Sequence, residues 1–179
     1  MVLTPGLPSA DAVRALPPAV SLSLVLSLDG QLRGHDGSSR SISGVEDLAW
    51  LRTLRAAADV VAVGASTAQT ERYTTSLTHP DHAAFRRAHG LPPHARLVIL
   101  RSDAPTPLHD LGAHVLLEAG VRLHTVLARE IDRLWLSHSP TVVGDAGAAI
   151  GLPLDGFALA SRHVGEEFVV SRFERVSRR

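Results

Sequence analysis

Strands that alternate with helices and then give way to two strands joined at a glycine predict an α/β fold. The expected architecture is a mixed, mostly parallel sheet flanked by helices, with an antiparallel hairpin at its C-terminal edge. Three observations carry this. Residues 20–28 read VSLSLVLSL, where Val20, Leu22, Leu24, Leu26 and Leu28 alternate with small residues at the two-residue period of a strand. Further short apolar runs stand at 60–63, 96–100, 115–118 and 133–137, each preceded or followed by loop or helical patterning. Last, 157–163 and 167–175 flank Gly165. A chain of 179 residues with 45% apolar content suits one domain with a substantial core. That domain is expected over 19–175, after a partly disordered lead-in over 1–18 and before a basic tail over 176–179.

The elements follow in order. Asp29-Gly30 ends the first strand in a turn, and a Gly/Ser loop runs over 34–41. Ser43, with Glu46 three residues on, reads as a capping box. The helix it opens carries Leu48, Leu51 and Leu54 and ends near Ala58. Asp59 opens the second strand, Gly64 closes it, and Thr67 begins a polar loop that lasts to Thr78. Pro80 and Gly90 frame a short helix. The third strand is followed by a loop over 102–111 with Pro105 and Pro107. After the fourth strand come Ala119-Gly120 and a helix from Val121 to Arg129. The fifth ends at Pro140, and a Gly/Ala-rich loop spans Gly144 to Gly156.

Composition removes several function classes. The chain has no cysteine, hence no disulfide, no thiolate zinc site and no cysteine nucleophile. All 18 basic residues are arginine, so no lysine serves as a base or Schiff-base former. The formal net charge is zero, and the arginines are scattered without interleaved aromatics, which gives no support to nucleic-acid binding. Prolines at 5, 8, 17 and 18 argue against a signal peptide, and no apolar stretch is long enough to span a membrane. A cytoplasmic protein is expected. The ten histidines, His79 and His82 among them, show no trusted ligand spacing, so no metal site is expected. No Gly-x-Ser-x-Gly elbow is present.

Ligands of open α/β sheets bind beyond the carboxyl ends of strands. Three such ends carry suggestive residues: Ser27 to Gly30 with the loop to Ser43, Gly64 to Thr67, and Glu118-Ala119-Gly120, whose backbone N–H groups suit a phosphate. Each also has a plain structural reading, as a turn, a strand-to-helix junction and a helix approach.

In order, however, the segments SLDG, GSSRSIS, LRAAADVVAVGAST, ERY, HGLPPHARLVILRS, LLEAG and RLWLSHSPTVVG are far more specific. Over about 19–175 the chain resembles the C-terminal reductase domain of the riboflavin-pathway deaminase-reductases. It is most similar to the stand-alone, actinobacterial-type pyrimidine reductases. The resemblance implies a dihydrofolate-reductase-like fold, usually dimeric. It also implies NADPH-dependent reduction of the ribosylamino group of a phosphoribosylaminouracil, or of a related pyrimidine or pterin-like small molecule. Carried over, cofactor contacts fall on Val25, Ser41, Gly64, Thr67, Glu71, Ser102 and the turn Gly120, Val121, Arg122 and Leu123. Substrate contacts fall on Ser39, Arg55 and Glu118, and Asp29 takes the place of the family's catalytic acid at the pocket edge.

The chain departs from that pattern in places. The deaminase half is absent. The glycine pair after the glutamate is Ala119-Gly120, and Arg122 follows where a small residue is usual. Only 15 residues lie between Ser102 and Glu118, where the family has several times as many. This shortening bears on whether the NADPH groove is complete, and a strand edge left bare by it favours a homodimer. Glu71-Arg72-Tyr73 matches the stand-alone branch. Two readings follow: an NADPH-dependent reductase, or a non-catalytic relative that serves as a binding or interaction module. The space between Gly64–Glu71 and Ser102–Arg122 discriminates them. Backbone N–H groups lining it favour the enzyme, and side chains such as Arg122 or Tyr73 filling it favour the module.

Overall fold

The structure is a computed structural model that describes residues 3–73, 77–101, 106–144 and 155–176. In chain order its strands are β1 (Leu3–Pro5), β2 (Ala19–Leu26), β3 (Val60–Gly64), β4 (Arg96–Leu100), β5 (His114–Glu118), β6 (Arg133–His138), β7 (Phe157–Val164) and β8 (Val169–Arg175). Its α-helices are α1 (Ala10–Arg14), α2 (Val45–Ala57), α3 (Ala65–Thr70), α4 (Ala83–Ala88) and α5 (Val121–Val126). The hydrogen-bonded strand order is β1-β7-β8-β6-β2-β5-β3-β4. The chain forms two compact units, one of 1–7, 23–50 and 133–179, the other of 8–22 and 51–132, so β2 contributes to both.

In the second unit β2 pairs in parallel with β5, β5 with β3, and β3 with β4. Every residue of β3 is buried, which accounts for its unbroken apolar run. β4 is the outermost strand of the order, with Ile99 55% exposed. The C-terminus of α2 is tied down by two arginines. Arg86, fully buried, donates to the carbonyls of Pro92, Ala56 and Ala58 at 2.6, 2.7 and 2.8 Å. Arg14 donates to Ala57 at 3.1 Å and pairs with Asp59 at 2.8 Å. Cations suit a helix C-terminus, where unpaired carbonyls carry partial negative charge.

In the first unit β6 and β7 both run antiparallel to β8. Trp50 on α2 meets Trp135 on β6 edge to face, centroids 5.0 Å apart, and both are buried. The fold class is therefore the expected one, a mixed and mostly parallel sheet with flanking helices and a C-terminal hairpin.

Several local expectations are corrected. The lead-in is structured. Ser9 caps α1 by accepting from Ala12 N–H, and Ala10 and Val13 are buried. β1 pairs in parallel with β7, Leu3 opposite Arg162, so the hairpin is not the sheet edge. Three residues ending in a proline are too few to show a period. β2 stops at Leu26, and Leu28 is 70% exposed in the turn. The capping box does not form. The Ser43 hydroxyl donates to Asp47 one turn on, at 2.6 Å. Glu46 instead accepts the N–H groups of Glu166, Glu167 and Phe168 at 2.8, 2.8 and 2.9 Å. Those turn amides offer a carboxylate three donors where a capping box offers one. Gly165 leaves the room, since a Cβ there would lie 2.1 Å from Glu46 Oε1. Residues 65–70 form α3, where a polar loop was expected from Thr67 on; only Ala68 is buried, so no apolar period marks the helix. α5 ends at Val126 rather than Arg129. Of the Gly144–Gly156 loop, 145–154 lie outside the described residues, as do 177–179 of the tail.

Candidate active site

The second unit brings two of the three implied substrate residues together. Arg55 leaves the last turn of α2, whose end the two arginines hold, and Glu118 closes β5. They form a two-pronged pair, Nε to Oε1 at 2.7 Å and Nη2 to Oε2 at 2.7 Å. Both are buried, at 8% and 6% exposure. A third member is Tyr73, just beyond α3. Its hydroxyl donates to Glu118 Oε2 and accepts from Arg55 Nη2, both at 2.7 Å. The guanidinium carbon lies 5.1 Å from the phenol ring centroid. Burial alone would lower the Arg55 pKa, but hydrogen bonding and charge from Glu118 raise it above its ordinary value. Burial and then the Glu118 charge push the Tyr73 phenol well above its usual range. The trio is a neutral donor holding an ion pair.

The implied cofactor residues of this unit lie at two neighbouring strand ends, since Val63 on β3 is the register partner of Glu118 on β5. Gly64 is the N-cap of α3 and Gly120 the N-cap of α5, and neither start is closed by a side-chain cap. Gly120 has extended backbone, φ −71°, ψ 171°. A Cβ on Gly64 would meet Leu123 Cδ2 at 3.2 Å, so the glycine admits the buried Leu123 side chain. Thr67 is half-buried in the first turn of α3, and its carbonyl accepts the N–H of Glu71, the last-turn cap, at 2.9 Å. Ser102 and the side chains of Val121 and Arg122 lie outside the described residues.

In the first unit Val25 is half-buried on β2. Asp29 is a clamp. Oδ1 accepts from Ser27 Oγ at 2.6 Å and Val143 N–H at 3.1 Å, and Oδ2 accepts from Gly144 N–H at 2.9 Å. The Ser27 hydroxyl, then the Val143 amide, lower its pKa to about 2. It is ionised at neutral pH and has no proton to donate. Ser39 opens a short 3-10 turn. The Ser41 hydroxyl serves the loop itself, donating toward Asp36 Oδ1 at 2.7 Å and Ser38 O at 3.0 Å. Gly34 makes the room, because a Cβ there would fall 2.0 Å from Ser41 Oγ.

The model of the RibD C-terminal domain matches residues 18–110, more than half of the chain. The chain belongs to the RibD C-terminal domain family. No curated protein matches it. Among solved structures, a pyrimidine reductase-like protein from Corynebacterium diphtheriae superposes with a TM-score of 0.72 at 15% identity, covering 96% of this chain and 100% of that one. RibD from Acinetobacter baumannii gives 0.62 at 20% identity over 90% of this chain; this RibD C-terminal domain spans 59% of that protein's length. Dihydrofolate reductase from Enterococcus faecalis, complexed with NADP(H), gives 0.62 at 10% identity over 89% and 97%. At these low identities the superpositions show a shared fold, dihydrofolate-reductase-like, and nothing finer.

Within this RibD C-terminal domain, the sequence marks Tyr73 as part of the Glu71-Arg72-Tyr73 match and as a side chain able to fill space, not as a polar partner of the pair. Its polar role had one signal: it is the sole tyrosine. Ser27, named at the first of the three strand ends, has the Ser-x-Asp spacing of a local turn bond, and its hydroxyl bonds Asp29. Asp47 went unnoticed. It is buried, bonded to Ser43 and Ser137, and burial raises its pKa. Among the described residues no cluster of three His, Asp or Glu could hold a metal, and no helix is long and apolar enough to cross a membrane.

Proposed function

We propose that this domain is an NADPH-dependent reductase of a phosphoribosylaminopyrimidine, of the kind named 5-amino-6-(5-phosphoribosylamino)uracil reductase in a Thermotoga maritima relative, or of a related pyrimidine or pterin. The observation that carries this is the buried Arg55–Glu118 pair at the carboxyl end of β5, beside the end of β3, where sheets of this class take ligands. The uncapped starts of α3 and α5 suit an anionic cofactor group, so Gly64, Thr67 and Gly120 are the residues we assign to hold NADPH. Glu71 and Leu123 lie beside them in the same unit, while Val25 and Ser41, in the first unit, are cofactor residues by resemblance. When bound, NADPH supplies the hydride. The chain's own part is positioning: Glu118 accepts from substrate donors, and Arg55 fixes the carboxylate and donates to a substrate oxygen. Asp29, ionised and tied to backbone amides, acts as a fixed negative charge that braces the 141–144 segment.

The second reading, a non-catalytic binding module, is favoured by one observation: the Tyr73 hydroxyl occupies the Arg55–Glu118 pair. Titration with NADPH, followed by nicotinamide fluorescence and calorimetry, separates the two. Saturable micromolar binding weakened by Thr67→Val supports the reductase, and turnover of the ribosylaminouracil substrate then completes the case. Absence of binding at millimolar NADPH would end it. A cytoplasmic homodimer belongs to the same proposal, and a monomer in sedimentation equilibrium at high concentration would remove the dimer.

A further inference from the structure

We propose that Tyr73 is a built-in stand-in for the ligand, and that the ligand group which replaces it is a neutral one that donates and accepts side by side, not a phosphate. This rests on reading Arg55 and Glu118 as substrate contacts. The phenol hydroxyl performs two jobs at one point, donating to Glu118 Oε2 and accepting from Arg55 Nη2. A replacement must do both. A sugar-type hydroxyl does, and so does an N–H beside a C=O, the edge of a uracil ring. A fully ionised phosphate only accepts, and any phosphate brings negative charge. The Arg55 fork is already neutralised by Glu118, and an arriving anion would meet that carboxylate across a desolvated site.

Tyr73 is also placed to leave. It is half-buried and belongs to no helix or strand. Its N–H bonds back to Ala68 O at 2.9 Å while Arg72 N–H bonds to Gln69 O at 3.3 Å, which closes α3 in a Schellman turn. Arg72 there has φ +52°, a left-handed conformation usually left to glycine. Its side chain is held by Arg55 and Glu118. Ligand binding thus exchanges one set of partners on the ion pair for another, and the apparent affinity is reduced by the fraction of time the phenol is in place.

Because the chain has a single tyrosine, the protein made with fluorotyrosine shows one fluorine resonance, that of Tyr73. Uracil and ribitol, added separately, represent the two neutral chemistries, and inorganic phosphate is the control. The expected result is that at least one neutral probe moves the resonance toward its position in denatured protein, while phosphate leaves it in place. Tyr73→Phe, which keeps the ring, should tighten that probe about tenfold and lower KM by a similar factor. A tyrosine with a merely structural role would destabilise the fold on substitution and would not tighten binding. The proposal is overturned if phosphate moves the resonance in place of the neutral probes, if neither neutral probe binds wild type or Tyr73→Phe at millimolar concentration, or if binding leaves the resonance unmoved. Glu118→Gln separates the two layers. If it abolishes reductase turnover while Tyr73→Phe leaves KM unchanged, the pair remains the substrate site and only the stand-in role falls. If both variants turn over like wild type, the reading of the pair falls as well.

Discussion

Two carboxylates at strand ends, one in each unit, are both fully engaged, yet by different kinds of partner. Asp29 is held mainly by the Ser27 hydroxyl and the backbone amides of Val143 and Gly144. Glu118 is held by the side chains of Arg55 and Tyr73. Backbone donors are fixed by the chain path, so Asp29 is part of the scaffold, and its hydrogen bonds, that from the Ser27 hydroxyl first, keep it ionised. Side-chain donors can swing away and be replaced, so the Glu118 cluster can exchange a partner for a ligand. The partner's nature, rather than the carboxylate's, separates a brace from a site.

The largest effect expected from breaking this contrast is Arg55→Met. It leaves Glu118 buried with only a phenol beside it, and removal of one member of a buried ion pair costs about 3–5 kcal/mol. Urea unfolding monitored by circular dichroism should show that loss. A change under about 1 kcal/mol would mean that water already reaches Glu118 and that the cluster is more open than its burial indicates.

The next effect is in pH. The Tyr73 phenol is raised in the folded protein and ordinary in the unfolded one, so the native state holds its proton more tightly. The stability this provides is complete below the unfolded value, near 10, and is lost as pH climbs from there through the folded value. Tyrosinate absorbance, which reports only Tyr73, should appear in denaturant at its ordinary pH and distinctly higher in native protein. Coincident titrations would show the hydroxyl standing in water.

Much of this was legible in the sequence. The unbroken run VVAVG announced a buried parallel strand, and Gly165 between two strand-like runs announced the hairpin. Arg55 and Glu118 were singled out, through a resemblance, before any contact between them was known; they are 63 residues apart and no local period links them. What stayed hidden depends on tertiary partners. Glu46 looked like a helix cap because the hairpin amides it serves lie 120 residues on. α3 escaped because its residues are small, polar and mostly exposed. The amides of Val143 and Gly144 that Asp29 accepts from stayed hidden because they are more than a hundred residues away.

Asp29→Asn tests the scaffold side of the comparison at lower stakes. The wild-type carboxyl is lowered from 3.8 to about 2, so its contribution is present above the unfolded value and is lost as pH falls through the folded one. The variant should differ from wild type at neutral pH and converge with it in acid. NADPH affinity should hold, since the residues assigned to the cofactor's anionic group, Gly64, Thr67 and Gly120, are in the other unit. A loss of affinity matching that of Thr67→Val would move Asp29 from brace to site.

The smallest expected effect probes the hinge under Tyr73. Arg72→Gly removes a side chain from a left-handed position, which relieves strain, but glycine also gives the unfolded chain more freedom. The two terms oppose, so stability should change by less than about 1 kcal/mol. The useful readout is therefore not stability but the phenol. With a freer hinge the hydroxyl should spend more time off the ion pair, and the Tyr73 titration should shift down toward its ordinary value even where the fold is as stable as before. An unmoved titration would mean that the hydroxyl's own bonds to Arg55 and Glu118, not the turn that carries it, hold Tyr73 in place.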